Sequence, residues 1–373
     1  MKQKKLFFVV AVLVFLLPCL VACNDGEDFD FPQLTETNTV SFTVNVTGEW
    51  RQLNLVGSGG KMVVEWEDGH VEKIKDPVSF GGAVQYTYGN KGTYRVRVWA
   101  EELDNLIVGD ALLSVSDLRL GNLPKMKHLT LNCLTDTRTL DLNTFCPNVE
   151  WINISNCPDL EQVELDRCSR LKNIQIYANP KLASLAFGDH PDATSVWGSG
   201  NGFTSLSLRG LPALKEVVLN GNPELLHLEL DEEADGITTL ILSECAFQSI
   251  DDILNHCPHL KELVCSSNRL TVLDLSKHSV TKLVCDHNQL TNLVLPECSL
   301  LKYIYCHSNQ LDTDALNALF HSLAQAPEPS SPYPECRIAY NDNPGAEGCD
   351  VATLLSKGWK IEKKTLLSNE AIH

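Results

Sequence analysis

A phrase that returns at a nearly fixed interval between Leu260 and Asn309 constrains this chain more than anything else in it. The stretch reads LKELVCSSNRLTVLDL, then VTKLVCDHNQLTNLVL, then LKYIYCHSN. Aligned on its asparagine, it superposes Leu263, Leu283 and Ile304, then Cys265, Cys285 and Cys306, then Asn268, Asn288 and Asn309. Self-similarity at a period of about 20–30 residues marks a stacked solenoid, in which each unit buries its apolar side only against its neighbours. With the asparagine position as ruler, units fall at Leu134, Cys157, Asn179, Asn201, Asn222, Cys245, Asn268, Asn288, Asn309 and Asn341. These rungs, at the spacing of paired strands, predict a stack of roughly 45 Å.

Each rung has a physical logic. In an L-x-L pair the two leucines face inward and the residue between them faces out, by strand alternation. The asparagine turns the chain, and its buried amide satisfies backbone groups that would otherwise be orphaned. Asn179, Asn201, Asn222, Asn268, Asn288 and Asn309 are therefore read as a structural ladder. A second pair in each unit, such as Leu273 with Leu275 or Leu293 with Leu295, fills the back of the core. This consensus resembles the leucine-rich repeat superfamily. The resemblance implies a curved parallel sheet with few helices, and a binding scaffold rather than an enzyme. Toward the C-terminus, Leu316, Leu319, Phe320 and Leu323 recur at helical spacing behind Asp312, a residue suited to capping a helix. With Gly358-Trp359-Lys360-Ile361, that segment resembles the closing unit of bacterial leucine-rich repeat proteins, which implies a helical C-terminal cap.

Residues 37–104 lack the repeat. Val40, Phe42, Val44 and Val46 alternate with polar residues, and five further strand-like runs follow up to Ala100 between glycine-rich turns. Six short strands at this spacing predict a small all-β, immunoglobulin-like sandwich ahead of the solenoid. The phrases VEWEDG (64–69) and YTYGNKGTYRV (86–96) resemble turn and strand motifs of polycystic-kidney-disease-type (PKD) domains. Glu65, Glu67 and Asp68 supply too few oxygen ligands for calcium, so Asp68 and Gly69 are read as a hairpin turn. The solenoid with its cap is assigned to 105–361, with Leu106 to Leu120 as a degenerate first rung, and 362–373 as a tail.

The first 22 residues read as an address. Lys2, Lys4 and Lys5 precede an apolar run from Leu6 to Leu17, which suits a secretory leader and is too short to span a membrane. Leu20-Val21-Ala22-Cys23 resembles a bacterial lipobox, which implies lipidation of Cys23. The acidic tether over 23–36 resembles the export signal of surface lipoproteins in Bacteroidota, which implies lipid anchoring at the outer membrane with exposure at the cell surface. The chain carries a net charge of −18, or −21 without the three leader lysines, a balance that argues against nucleic acid and anionic membrane surfaces as partners. Fourteen cysteines in an exported chain would ordinarily signal disulfides. Apart from Cys19 and Cys23, however, most fall on repeat columns: Cys265, Cys285 and Cys306 on one, Cys157 and Cys245 on the ladder position, and Cys146, Cys168, Cys257 and Cys298 before a rung's first apolar residue. Such placement suits small buried apolar side chains, so free buried thiols are expected.

The outward residue of each L-x-L pair lines the concave face of the sheet. That column reads Thr130, Asn153, Gln175, Trp197, Val218, Ile241, Val264, Val284, Tyr305 and Arg337, with Trp151, Tyr177 and Tyr303 beside it. Contiguous apolar surface of this kind marks an interaction site, and a protein or peptide ligand is the first reading. A glycan stacked on Trp151, Tyr177, Trp197, Tyr303 and Tyr305 is the second, and an envelope spacer without a ligand the third. No cofactor is implied. Ser266, Asp286 and His307 share one column, but a triad needs the histidine between serine and acid. Ser267, His287 and Ser308 share the next and have no orienting acid. Asp286, His287 and His307 lack the spacing of a structural zinc site, so they are read as polar residues on a wet face, with adventitious metal binding as the alternative.

Overall fold

The structure is a computed structural model and describes residues 37–363, apart from 50, 59, 68–69, 75–82, 110–112, 297–299 and 327–335. The leader, Cys23, the acidic tether, the Asp68-Gly69 turn, Cys298 and the proline-rich 327–334 stretch lie outside the described residues. Among the described residues no helix is long and apolar enough to cross a membrane.

Eight strands open the fold: β1 (Thr39–Val46), β2 (Arg51–Ser58), β3 (Met62–Glu67), β4 (His70–Ile74), β5 (Ala83–Tyr88), β6 (Gly92–Ala100), β7 (Asn105–Val108) and β8 (Ser114–Leu120). One antiparallel sheet runs β4-β3-β6-β1-β8. Its strands alternate as their sequence does: Val40, Phe42, Val44 and Val46 are buried, and the residues between them are not. Trp66 is fully buried, donates Nε1–H to Glu72 Oε2 at 3.0 Å, and stacks on Tyr86 with ring centroids 5.3 Å apart. Glu65 pairs with Arg97, so that carboxylate has a cation partner within the fold.

The boundary between this part and the solenoid is interleaved. Strand β7 pairs antiparallel with β2 on one side and parallel with the first repeat strand, His128–Asn132, on the other. Strand β8 then returns to the first sheet beside β1. The segment read as a degenerate rung therefore divides, with only Asn105–Val108 in rung register. Leu106 and Val108 point inward with Leu129 and Leu131, and β2 and β5 continue the solenoid sheet past its open end. A solenoid terminus left unpaired would expose both its core and a strand edge, and here the small β region covers both.

Beyond β7 the long sheet is parallel. It passes through Trp151–Ser155, Asn173–Tyr177, Ser195–Trp197, Glu216–Val218, Thr239–Ile241, Glu262–Val264, Lys282–Val284, Tyr303–Tyr305 and Arg337–Ala339 to Lys360–Ile361. Ile152, Ile174, Val196, Val217, Leu240, Leu263, Leu283 and Ile304 stand opposite one another and are all buried. Cutting any of these leucines or isoleucines to alanine costs about 2–5 kcal/mol. Two-stranded parallel ribbons form the back, for example Val272–Asp274 with Asn292–Val294, where Leu273, Leu275, Leu293 and Leu295 face inward.

The asparagine ladder closes the front of the rungs from Asn179 to Asn222 and from Asn268 onward. Asn288 is buried; its Oδ1 accepts from the Leu270 N–H at 3.1 Å, and its Nδ2 donates to the carbonyls of Cys265 and Cys285 at 2.9 and 3.1 Å. Asn268 and Asn309 repeat this, accepting from Phe247 and Leu290. Asn179, Asn201 and Asn222 form a second run, in which Asn179 and Asn201 Oδ1 accept from the backbone N–H of Cys157 and Asn179, and Asn222 Oδ1 from that of Asn201. A residue in the left-handed region stands immediately before each ladder position: Cys133, Asn156, Ala178, Gly200, Gly221, Glu244, Ser267, His287, Ser308 and Asp342.

The last of these corrects the sequence register. Tyr305 pairs with Ala339, and Arg337 stands opposite Tyr303. The final ladder residue is therefore Asn343, whose Oδ1 accepts from Leu311 N at 3.0 Å and whose Nδ2 donates to Cys306 O at 2.9 Å, rather than Asn341. The intervening helix, Thr313–Ser322, breaks the regular spacing of the ladder.

Among the described residues four short helices punctuate the solenoid: α1 (Leu142–Phe145), α2 (Asp251–Asn255), α3 (Thr313–Ser322) and α4 (Val351–Ser356). Asp312 Oδ1 accepts from Ala315 N at 2.8 Å at the start of α3, and Lys357 Nζ donates to the carbonyls of Phe320, His321 and Leu323 at its end. This places a cation on the negative end of the helix. Leu316, Leu319, Phe320 and Trp359 join the main core, and Trp359 donates Nε1–H to Ala324 O at 3.0 Å.

Candidate functional site

The outer face of the long sheet presents three columns of side chains, one from each outward position of the rungs. The central column changes character along the stack. Asn153 Nδ2 donates to Gln175 Oε1 at 3.2 Å on neighbouring rungs. Beside them Trp151 donates Nε1–H to Asn173 Oδ1 at 2.6 Å, and Asn173 Nδ2 donates to Ser195 Oγ at 2.6 Å. Trp151 also meets His128 edge to face. Residues about 22 apart in sequence thus touch because the sheet sets one rung against the next.

From Trp197 the column turns apolar. Trp197 is 37% exposed, and Val218, Ile241 and Val264 are partly exposed behind it. The pairing register sets Trp197 against Val218, Val218 against Ile241, and Ile241 against Val264, so these side chains form one unbroken strip. The first-position column beside it is polar, with Glu216, Thr239 and the ion pair of Lys282 Nζ with Glu262 Oε1 at 2.6 Å.

The exposure expected for Val284 and Tyr305 is corrected here. Both are only 8% exposed, and with Ala339 they form a small cluster of their own, against which Val264 packs. The Tyr305 hydroxyl donates to Glu362 Oε2 at 3.1 Å, while Arg337 Nη1 donates to Glu362 Oε1 at 2.8 Å. Burial, followed by the Glu362 charge, pushes the Tyr305 phenol up to about 12. Tyr303 and Tyr177 are half-buried on the flanking columns. The accessible apolar strip therefore runs from Trp197 to Val264.

On the third column, Ser266 Oγ donates to Asp286 Oδ1 at 2.7 Å. The serine is thus held by the acid directly, with no histidine between them, and the arrangement does not activate a hydroxyl as a nucleophile. The other carboxylate oxygen, Oδ2, lies 2.7 Å from His287 Nδ1 and 3.7 Å from His307 Nε2. The two imidazoles stand nearly perpendicular, their centroids 5.1 Å apart. One donor atom from each of Asp286, His287 and His307 lies within 4.8 Å of the others. His287 occupies the left-handed position immediately before Asn288.

Behind this column stand the thiols of Cys265, Cys285 and Cys306, all fully buried. Desolvation pushes all three well above the ordinary thiol range, with the Asp286 charge adding to the shift, and Cys306 reaches about 12. Cysteines at the other described positions are free as well, and of these only Cys133 and Cys349 are partly exposed.

No protein-family model and no curated protein matches the chain. Among solved structures it is similar to the functional domain of InlJ from Listeria monocytogenes, described as including a cysteine ladder, at 18% identity over 69% of this chain and a TM-score of 0.49. The chain spans 52% of that domain's length. A leucine-rich repeat protein of Leptospira interrogans matches at 15% identity over 64% of this chain and 90% of its own, with a TM-score of 0.26. An internalin (InlF) from Listeria monocytogenes matches at 12% identity over 70% of this chain and 86% of its own, with a TM-score of 0.25.

Proposed function

We propose that this chain is a non-catalytic cell-envelope lipoprotein that binds a protein or peptide ligand on the concave face of its leucine-rich repeat solenoid. The observation that carries the reading is the strip Trp197, Val218, Ile241 and Val264, an accessible apolar run beside the polar column of Glu216, Thr239, Glu262 and Lys282. Such a strip with a polar rim fits an extended segment bearing apolar side chains, and the net charge of −18 favours basic flanks on that segment. In this reading Cys23 carries the lipid, the acidic residues after it direct export to the outer surface in the manner of Bacteroidota lipoproteins, and the immunoglobulin-like, PKD-type region lifts the solenoid off the membrane. Helices α3 and α4 with Trp359 serve as its C-terminal cap.

Selection of a random peptide display library against the purified chain tests the binding site. Enriched peptides should lose at least about tenfold in affinity on Val264→Asp and Trp197→Ala. Peptides that bind both variants as well as the parent would remove the proposed face. Metabolic labelling with a fatty acid, lost on Cys23→Ala, and protease shaving of intact cells test the anchor and its exposure separately.

A glycan ligand is the second reading, and one observation favours it: the amides of Asn153, Gln175 and Asn173 lie between Trp151 and Trp197, setting hydrogen-bonding groups beside aromatic faces. Binding on a glycan array that Trp151→Ala abolishes would favour this reading over the peptide one.

A further inference from the structure

We infer that Asp286, His287 and His307 form a binding site for a first-row divalent transition-metal ion, zinc being the best fit to two imidazoles and one carboxylate. Zinc–nitrogen and zinc–oxygen bonds of about 2.0–2.2 Å place tetrahedral donors roughly 3.4 Å apart. Asp286 Oδ2 stands 2.7 Å from His287 Nδ1 and 3.7 Å from His307 Nε2, values on either side of that separation. All three donor atoms lie within 4.8 Å of one another, so small side-chain rotations bring them onto one ion, and the two imidazoles stand nearly perpendicular rather than stacked.

The surroundings hold the ligands as metal sites require. Ser266 donates to Asp286 Oδ1 at 2.7 Å, which fixes the carboxylate and leaves Oδ2 for the ion. His307 Nδ1 lies 3.2 Å from Ser308 Oγ, a contact that suits a proton on Nδ1 and a lone pair on Nε2. Partners of this kind orient metal-bound imidazoles and carboxylates, and their loss typically weakens binding about 10–100-fold. The site is accessible yet not fully wet: the His307 side chain is 9% exposed, Asp286 14% and His287 31%. With three protein donors the ion keeps a coordination position for water or an external ligand. The signal escapes a reading of motifs because the two histidines are 20 residues apart. The pairing of adjacent rungs, with His287 N–H donating to His307 O at 3.2 Å, sets them side by side.

Cobalt(II) titration of the full chain, purified without a polyhistidine tag and followed by absorbance, tests the site. Saturable visible bands at one equivalent, without a sulfur-to-cobalt charge-transfer band, are expected. Zinc should displace the cobalt, and His287→Ala, His307→Ala and Asp286→Asn should each weaken binding at least about tenfold. Ser266→Ala should weaken it with all three ligands intact, and His259→Ala, at an exposed histidine elsewhere, should leave it unchanged. His287 is the most exposed of the three ligands, so its variant should keep the parent circular dichroism and separate loss of the site from loss of the fold. Absence of binding at about 1 mM cobalt, equal affinity in parent and His287→Ala, or a thiolate charge-transfer band that places the metal on the cysteines, would each overturn the inference.

Discussion

Replacing Asn288 by alanine tests the physical core of the fold, because the consequence follows from counting bonds. The amide makes one bond as acceptor, from Leu270 N, and two principal bonds as donor, to Cys265 O and Cys285 O. The losses are unequal. Cys265 O also accepts from Asn268 Nδ2, and Cys285 O from Asn309 Nδ2, so each carbonyl keeps a partner. The Leu270 N–H loses its partner inside the core, at about 1–3 kcal/mol, and the two shared bonds add about 0.5 kcal/mol each. The expected total is about 2–4 kcal/mol. Urea unfolding followed by tryptophan fluorescence reads it as a fall in midpoint at unchanged slope. Asn292→Ala, on an exposed position of the back ribbon, should stay within about 0.5 kcal/mol. Asn288→Asp sharpens the test. Its carboxylate still accepts from Leu270 N but faces two carbonyl oxygens without a proton to offer, so burial raises its folded pKa above the unfolded value of about 3.9. The deficit relative to the parent should therefore be greatest at neutral pH and shrink as pH falls through the folded pKa. A loss under about 0.5 kcal/mol for Asn288→Ala, or a pH-independent deficit for Asn288→Asp, would refute the ladder as a source of stability.

Other outcomes follow from the same stack. The thiols of Cys265, Cys285 and Cys306, buried and shifted upward, should resist an aromatic disulfide reagent at pH 8 until the chain is unfolded, and Cys133 and Cys349 should react first; a thiol count under native and denaturing conditions checks this. Gly188→Ala should cost more than about 3 kcal/mol or prevent folding, because its new Cβ would lie 1.8 Å from Asp166 O on the rung beneath. Ala178→Gly should gain about 0.5 kcal/mol, since relief of a left-handed alanine, about 1–2 kcal/mol, exceeds the entropy that glycine adds to the unfolded chain. Both changes are read by equilibrium unfolding.

The inward columns were legible because period and chemistry coincide in them: a leucine, thiol or amide returning every 20–23 residues has one place to go. The pairing of Leu263 with Leu283 and Ile304 is what that spacing implies. Three features escaped the pattern, each for a definite reason. The left-handed residue before every ladder position is glycine on only two of the ten rungs from Cys133 to Asp342, so residue type hides it. The last rung lies beyond α3, and a spacing interrupted by a helix cannot distinguish Asn341 from Asn343; a hydrogen bond to Leu311 can. Exposure of the outward column depends on the side chains of neighbouring rungs and on Glu362 beyond the last of them, and alternation along one strand carries no information about either. That is why Val284 and Tyr305 point outward in register and are nevertheless covered.

The covered end bears on how the face would be used. Tyr305, Val284 and Ala339 bury one another, and Glu362 ties Tyr305 to Arg337 from beyond the last rung strand. A ligand approaching the strip from Trp197 therefore meets a wall after Val264, and what flanks that wall is Lys282 with its Glu262 partner and the Asp286 group. Removing the tie by Glu362→Ala should loosen Tyr305 and lengthen the accessible strip toward the C-terminus. Its phenol would lose an acceptor and a neighbouring negative charge, so its pKa should fall from about 12 toward the ordinary tyrosine value. An ultraviolet titration of tyrosine ionisation reads that fall. No movement of the transition would mean that Glu362 does not hold the wall, and the apolar strip would then have to be redrawn through Tyr305.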